Sequence, residues 1–83
     1  MTTKMYPFSK ANFAILRKYA DKLNEQSIIA ENIGDFESSE KLFAESVRIY
    51  GIGTDEFGVR TKDGCVWLTG KEIGEAKKIL AMA

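Results

Sequence analysis

The chain has 83 residues, a formal net charge of zero, and 45% hydrophobic and 29% charged residues, which is typical of one small folded domain spanning residues 1–83. One cysteine and no histidine exclude an internal disulfide and remove the central member of most zinc sites and catalytic triads. Because no segment reaches the ~18 apolar residues of a membrane span and residues 1–10 lack the apolar core of a secretory signal, we expect a cytoplasmic protein. The missing histidine also leads us to expect no enzymatic activity, cofactor or metal site.

The first predicted helix runs from about Lys10 to Ile33. Ser9 is a favoured N-cap residue, and the apolar residues from Phe13 onward fall within a stripe of about 120° at 100° per residue. Gly34 follows, and glycine suits the left-handed conformation that ends many helices. The pattern predicts an amphipathic helix, whose apolar residues are Phe13, Leu16, Tyr19, Ala20 and Leu23, continuing through Ile28, Ile29 and Ile33.

A second helix is predicted after a short link, with Asp35 or Ser38 as its N-cap. Gly51 and Gly53 end it. Its apolar residues recur at helical spacing and are Leu42, Phe43, Val47 and Tyr50. Two helices joined by so short a link must pack antiparallel as a helical hairpin.

The helical hairpin carries one local family resemblance. The sequence Gly34-Asp35-Phe36, with Ser39, Phe43 and Ser46 after it, resembles the second half of a tetratricopeptide repeat. The first half departs from that family's pattern at Gln26, Ser27 and Ala30, and nothing recurs about 34 residues later. Since one such unit cannot bury both of its faces, the resemblance does not imply a peptide-binding solenoid. An ordinary helical hairpin with a glycine link is the alternative.

After Gly53 the apolar pattern becomes alternating, which predicts two strands joined by a tight turn. Asp63-Gly64 has a preferred sequence for a two-residue type I′ turn. That turn places Thr61 opposite Val66 and predicts one apolar face, made of Phe57, Val59, Val66 and Leu68. The alternative three-residue loop, with Gly64 as a bulge, opposes Val59 to Trp67 and divides that face.

A third helix follows the strands. Thr69-Gly70-Lys71-Glu72 has the sequence of a capping box, and the predicted buried stripe consists of Ile73, Ala76, Ile79 and Leu80. The predicted fold is therefore α+β in the order helix, helix, two-stranded antiparallel hairpin, helix (ααββα). An isolated two-stranded hairpin is marginal in water, so it must pack on the helices.

Charge is segregated along the chain. Residues 1–24 hold five basic and one acidic side chains, residues 25–56 two basic and eight acidic, and residues 57–83 five basic and three acidic. The acidic middle segment predicts a docking face for a basic protein partner. The residues assigned to this face are Glu37, Glu40, Glu45, Asp55 and Glu56.

The outer face of the predicted β-hairpin supplies a second candidate contact. In the favoured register Arg60 and Trp67 lie opposite each other there, and such a pair is typical of a binding hot spot. The alternative is that Trp67 is covered by the first helix or by the segment Tyr6-Pro7-Phe8. We therefore expect a non-enzymatic protein–protein interaction module. Small, charge-segregated chains of this kind resemble phage or mobile-element accessory proteins that dock on a host enzyme.

The alternative function is nucleic-acid binding, with no membrane contact in either case. The first helix presents a basic side across about 140°, which can neutralise phosphates, and Trp67 with Arg60 could stack on bases. The basic residues are Lys10, Arg17, Lys18 and Lys22. The neutral total charge and the acidic second helix oppose this alternative.

Overall fold

The structure is a computed structural model, and it describes residues 4–83. These residues form three helices and five short strands. In chain order they are β1 (Met5–Ser9), α1 (Lys10–Asn32), α2 (Phe36–Tyr50), β2 (Thr54–Asp55), β3 (Gly58–Val59), β4 (Thr61–Lys62), β5 (Cys65–Thr69) and α3 (Gly70–Met82). The fold is α+β, as predicted, but it has more strands than the predicted hairpin. Among these three helices, none combines the length and the apolar character needed to cross a membrane.

Helix α1 begins and ends where the sequence predicts. The Ser9 hydroxyl accepts a hydrogen bond from the Asn12 amide at 3.1 Å, which satisfies one of the free donors in the first turn. At the other end Ile33 is the C-cap, and Gly34 adopts a φ of +84°, which costs glycine little. The 23 residues of α1 make a helix roughly 34 Å long.

Helix α2 packs antiparallel against α1. Its N-cap is Asp35, one of the two predicted candidates. The direction follows from two contacts between the helices, because Ser46 donates a hydrogen bond to the Ala20 carbonyl while Ser27 donates one to the Ser39 carbonyl. The predicted helical hairpin is therefore confirmed.

The inward side of α2 differs from the stripe that its apolar residues suggest. The buried residues on α2 are Ser39, Ser46 and Ile49, while Phe43 and Val47 are more than half exposed. Small hydroxyl side chains at the contact let the two helices approach closely, and the larger apolar side chains then lie beside that contact. The serine hydroxyls are hydrogen-bonded, so their burial leaves no unpaired donor.

The main sheet has the strand order β1-β5-β4, and neighbouring strands are antiparallel. The predicted type I′ turn joins β4 to β5, with φ values of 53° at Asp63 and 76° at Gly64. Thr61 lies opposite Val66, which is the two-residue-turn register. Val66 and Leu68 are buried, as that register predicts.

Strand β1 is absent from the predicted fold. It pairs with β5 along its length, from Met5 opposite Thr69 to Ser9 opposite Cys65. It lies at an edge of the sheet, where Pro7 is tolerated although it has no amide hydrogen. This third strand gives the β-hairpin the support that two strands alone lack.

The predicted apolar face is wrong for Phe57 and Val59. The β4–β5 ladder stops short of Val59, which pairs instead with Thr54 in the separate β2–β3 hairpin. Gly58 has a φ of +109° in that hairpin. The chain turns away from β5 at this position, and Phe57 is therefore 90% exposed. Because the β4–β5 ladder does not extend to Phe57, the alternating pattern no longer predicts which side of the sheet it faces.

Helix α3 begins with the predicted capping box. The Thr69 hydroxyl accepts a hydrogen bond from the Glu72 amide at 3.2 Å, and the Glu72 carboxylate accepts one from the Thr69 amide at 2.9 Å. Glu72 also accepts from the Gly53 amide and forms an ion pair with Arg60. The inner side of α3 matches the prediction, with Ala76 and Ile79 buried and Ile73 and Leu80 partly buried.

The core lies at one end of the helical hairpin, where the sheet and α3 cover it. Its last buried residue on α1 is Leu23 and its first on α2 is Ile49. The complete cluster comprises Phe8, Leu16, Ala20, Leu23, Ile49, Ile52, Val66, Leu68, Ala76 and Ile79. Residues 24–43, which we call the distal hairpin, extend beyond this cluster, and the described residues measure 44 × 26 × 20 Å.

Candidate functional site

An open groove of about 410 Å³ lies between α1 and α2 in the distal hairpin. We call it the hairpin groove. Each helix contributes four lining residues: Asn24, Ser27, Ile28 and Glu31 from α1, and Phe36, Ser39, Glu40 and Phe43 from α2. The groove exists because the helices meet through small residues, which leaves the larger side chains to form raised walls on either side.

The walls of the hairpin groove are apolar and exposed. Ile28, Phe36 and Phe43 are 50%, 63% and 54% exposed. On α2, Phe36 and Phe43 lie within about 40° of Val47 at 100° per residue. Val47 is also exposed and continues the apolar surface toward the core. Contiguous apolar surface of this kind marks interaction sites, whereas scattered single side chains do not.

The floor of the groove is made of two serines whose hydroxyl groups are already paired. Ser27 Oγ lies 3.0 Å from the Ser39 carbonyl oxygen and 3.2 Å from Ser39 Oγ. The Ser27 hydroxyl donates to the Ser39 carbonyl, and the Ser39 hydroxyl can donate to the Ser27 hydroxyl oxygen, so both hydroxyl hydrogens are used. The floor can therefore contact an apolar side chain without leaving a buried donor unpaired.

Two carboxylates give the groove its charge. Glu31 lies on the α1 wall and Glu40 on the α2 wall, and both are exposed. Within residues 4–83 neither forms an ion pair, and the lining residues include no lysine or arginine. The groove is thus apolar at its centre and negative along both walls.

Two of the five predicted acidic docking residues are engaged within the fold. Glu37 pairs with Lys41 one turn later, at 3.4 Å. Glu45 pairs with Arg48, and Arg48 also contacts Glu75 of α3 at 2.9 Å. The hydrogen bonds that the Arg48 guanidinium donates to Glu45 raise the pKa of Arg48. These contacts reduce the negative charge that Glu37 and Glu45 present to a partner.

The other three predicted acids lie at two separate places. Glu40 is in the hairpin groove, whereas Asp55 and Glu56 lie in the β2–β3 hairpin. Asp55 accepts a hydrogen bond from the Phe57 amide at 2.8 Å, which shapes that turn. The structure therefore brings one of the five predicted acids, Glu40, into the groove, where Glu31 is the other carboxylate.

The predicted anchor pair on the sheet is adjacent in space. The Trp67 amide donates to the Arg60 carbonyl at 2.8 Å, and Arg60 Nε donates to the Trp67 carbonyl at 3.0 Å. Arg60 turns its guanidinium to Glu72, and the Trp67 indole donates to the Lys62 carbonyl at 2.9 Å. Both side chains are half-buried. The Arg60 guanidinium joins the sheet to α3, and the Trp67 indole is used in a contact with β4.

The four basic residues of α1 have different surroundings. Arg17 packs over the rings of Phe13 and Tyr50, at 4.9 and 5.2 Å from their centroids, and donates to Thr54 at 3.0 Å. Its Nε is buried without a partner in residues 4–83. The remaining three, Lys10, Lys18 and Lys22, are exposed.

The residues of the hairpin groove other than Glu40 were not predicted as a site. A usable signal existed in the sequence, because Ile28, Ile29 and Ile33 spread around α1 more widely than one packed neighbour can cover. Two consecutive isoleucines cannot both point toward α2. Excess apolar residues beyond the width of one helix contact therefore indicate a second contact surface.

Other types of site have little basis in the described residues. Between residues 4 and 83, no three histidine, cysteine, aspartate or glutamate side chains come together in a way that could hold a metal ion. Cys65 is a half-buried free thiol on β5, away from the groove. Comparison with protein-family models, curated proteins and solved structures finds no match to this chain.

Proposed function

We propose that this protein is a non-enzymatic protein-binding module that docks on its partner through the hairpin groove. The observation that carries the proposal is the exposed apolar surface of Ile28, Phe36 and Phe43 between the carboxylates of Glu31 and Glu40. Neither carboxylate forms an ion pair with another of residues 4–83. An apolar centre with a charged rim is the usual anatomy of a protein interface. We expect the partner to be a cytoplasmic protein. That this partner is an enzyme of a host cell stays a prediction.

The apolar walls supply the affinity in this proposal. Fully burying one phenylalanine or isoleucine side chain is worth about 1.5–3 kcal/mol, whereas association costs about 4–15 kcal/mol in lost freedom. Several apolar side chains must therefore be buried together on binding. Phe36 and Phe43 meet this need because they lie on the same side of α2. The walls are rigid because they belong to two packed helices, so little ordering is needed on binding.

The carboxylates supply selectivity. Glu31 and Glu40 attract basic partners, raise the rate of association and disfavour acidic ones. This effect weakens with salt because both groups are exposed. Glu37 and Glu45 contribute less, since each already faces a cation on its own helix.

The groove is tested by capturing partners from source-cell lysate and measuring the affinity of the purified partner. We expect Phe43→Ser to weaken binding at least tenfold, because it removes one wall of the groove. Phe57→Ser is the matched control: it removes a more exposed phenylalanine outside the groove and should leave affinity within twofold. The proposal would be overturned if the natural chain and both variants bound the partner with equal affinity. Equal losses of affinity in Phe43→Ser and Phe57→Ser would overturn it as well.

Nucleic-acid binding is tested in parallel by fluorescence anisotropy with generic single- and double-stranded DNA and RNA. We expect dissociation constants above about 10 μM at physiological salt, since phosphate binding needs clustered free cations and Arg17 is folded onto Phe13 and Tyr50. Submicromolar binding that falls steeply with salt would favour the alternative through Lys10, Lys18 and Lys22 instead.

A further inference from the structure

We infer that the occupant of the hairpin groove is a basic amphipathic α-helix of a second protein. The inference rests on the proposed function and adds the shape and the charge of the partner. Three features carry it: the walls are helical, the floor is small and already hydrogen-bonded, and within residues 4–83 neither of the two carboxylates forms an ion pair.

The helical walls determine the backbone conformation of the occupant. The main-chain amides and carbonyls inside α1 and α2 are paired within their own helices, so the groove has no strand edge to offer. An extended peptide would lay unpaired backbone groups against Phe36 and Phe43. A helix pairs those groups internally and presents only side chains, which is the helix-in-groove mode of recognition.

The floor and the length of the groove determine the anchors. Ser27 and Ser39 are small and their hydroxyl hydrogens are used, so one apolar side chain of the partner can reach the floor. Along α2 the exposed apolar surface begins at Phe36 in the groove, continues past the groove to Val47 and covers about 16 Å at 1.5 Å per residue. A matching partner helix has about three turns with apolar anchors at positions i, i+4 and i+7.

The carboxylates determine the charge of the occupant. Glu31 and Glu40 lie on opposite walls, so lysine or arginine residues on both flanks of the anchor stripe would each meet a carboxylate. A second copy of this chain is the less suitable occupant. A symmetric pair uses the same surface twice, and because the lining residues include no cation, it would bring like charges together.

The test uses nuclear magnetic resonance of the ¹⁵N-labelled chain with synthetic helical peptides of about 18 residues. One peptide has leucine anchors with lysine flanks, the second has the same anchors with glutamate flanks, and the third is the lysine peptide broken by two central prolines. We expect the lysine peptide to shift the amide signals of the groove residues, including Asn24, Ile28 and Phe43, with a saturable submillimolar dissociation constant. The other two peptides should bind at least tenfold more weakly.

Charge-matched variants separate the groove from the total charge. Glu31→Gln with Glu40→Gln should reduce the preference for the lysine peptide over the glutamate peptide to less than threefold. Asp55→Asn with Glu56→Gln removes the same charge in the β2–β3 hairpin and should keep the tenfold preference. Equal effects of the two double variants would overturn the inference, because the preference would then follow net charge.

Other results would also overturn it: equal binding of the lysine and glutamate peptides, equal binding of the proline peptide, shifts confined to residues outside the groove, or absence of binding at 1 mM peptide. Concentration-dependent shifts of the groove signals in the chain alone would assign the groove to a second copy. None of these results decides the proposed function, which is tested separately by whether Phe43→Ser and Phe57→Ser bind the captured partner alike.

Discussion

The two ends of the helical hairpin are both rich in apolar residues, but those residues have opposite exposure. At the core end, Leu16 and Ala20 of α1 are 1% and 0% exposed, because the sheet and α3 lie over them. In the distal hairpin, Ile28 and Ile29 of the same helix and its C-cap residue Ile33 are at least half exposed. Apolar content alone therefore does not determine burial, which also depends on a third layer of structure.

The comparison also explains which residues sit between the two helices. Beyond Leu23 the buried residues of the distal hairpin are Ser27, Ala30 and Ser39, all of them small. Two helices that meet through small residues cover only a narrow strip of each other. Larger apolar side chains beside that strip need another partner, and the proposed function assigns that role to a second protein.

The core end should hold most of the stability, and Leu68→Ala tests this most directly. Leu68 is fully buried, so its truncation should lower the free energy of unfolding by about 2–5 kcal/mol, a large share of a typical total of 5–15 kcal/mol. Val59→Ala, at an exposed position, should cost less than about 1 kcal/mol. Similar shifts in urea denaturation would contradict the sheet register.

The polar contacts should show the same contrast. Glu72 is half-buried and accepts hydrogen bonds from the Thr69 and Gly53 amides while pairing with Arg60. Glu72→Ala should cost about 1.5–3 kcal/mol, because three donors lose a charged acceptor. Glu40→Ala, in the distal hairpin, should change the free energy of unfolding by less than about 0.5 kcal/mol. A larger loss in Glu40→Ala would show that the groove stabilises the fold.

The features predicted correctly from the sequence are local ones. Helix caps at Ser9 and Asp35, the Asp63-Gly64 turn and the Thr69–Glu72 capping box each depend on residues within a few positions of one another. Their physical causes are hydrogen bonds to nearby amides and the conformational freedom of glycine. Local signals of this kind fix where elements begin and end.

The features missed depend on distant parts of the chain. Strand β1 exists because β5 is available beside it, and the alternation of Met5–Ser9 alone is too short to show this. The alternating pattern predicts Phe57 in the core, but the pairing of Val59 with Thr54 sets the direction of the chain there, and that pairing has no signal in the alternation. The hairpin groove was missed for the same reason: no local pattern tells which side of α2 remains uncovered.

A smaller effect is expected at the N-cap of α2, which closes the distal hairpin. Hydrogen bonds from the Ser38 side chain and amide lower the pKa of Asp35 below its usual value of 3.8. A lowered pKa in the folded state contributes stability that is present above the unfolded-state pKa and is lost as the pH falls through the folded-state pKa.

Asp35→Ser keeps a capping hydroxyl that does not titrate in this range. The free energy of unfolding of the natural chain should therefore fall relative to that of Asp35→Ser as the pH decreases below about 4, and should not do so between pH 5 and 8. Parallel pH profiles from acid to neutral would show that the Asp35 carboxylate has no role in capping.

A small effect on stability is expected where the largest effect on binding is proposed. Phe43 is more than half exposed, and serine and phenylalanine have similar helix propensities, so Phe43→Ser should lower the free energy of unfolding by less than about 1 kcal/mol. Phe13→Ser makes the same exchange at the core end, where Phe13 packs against the core and Arg17, and should cost about 2 kcal/mol or more. Thermal and urea unfolding of both variants, measured beside partner affinity, separates the two halves of the hairpin. If Phe43→Ser destabilised the fold as much as Phe13→Ser, the distal hairpin would be part of the core, and its loss of binding would reflect unfolding instead of a lost contact.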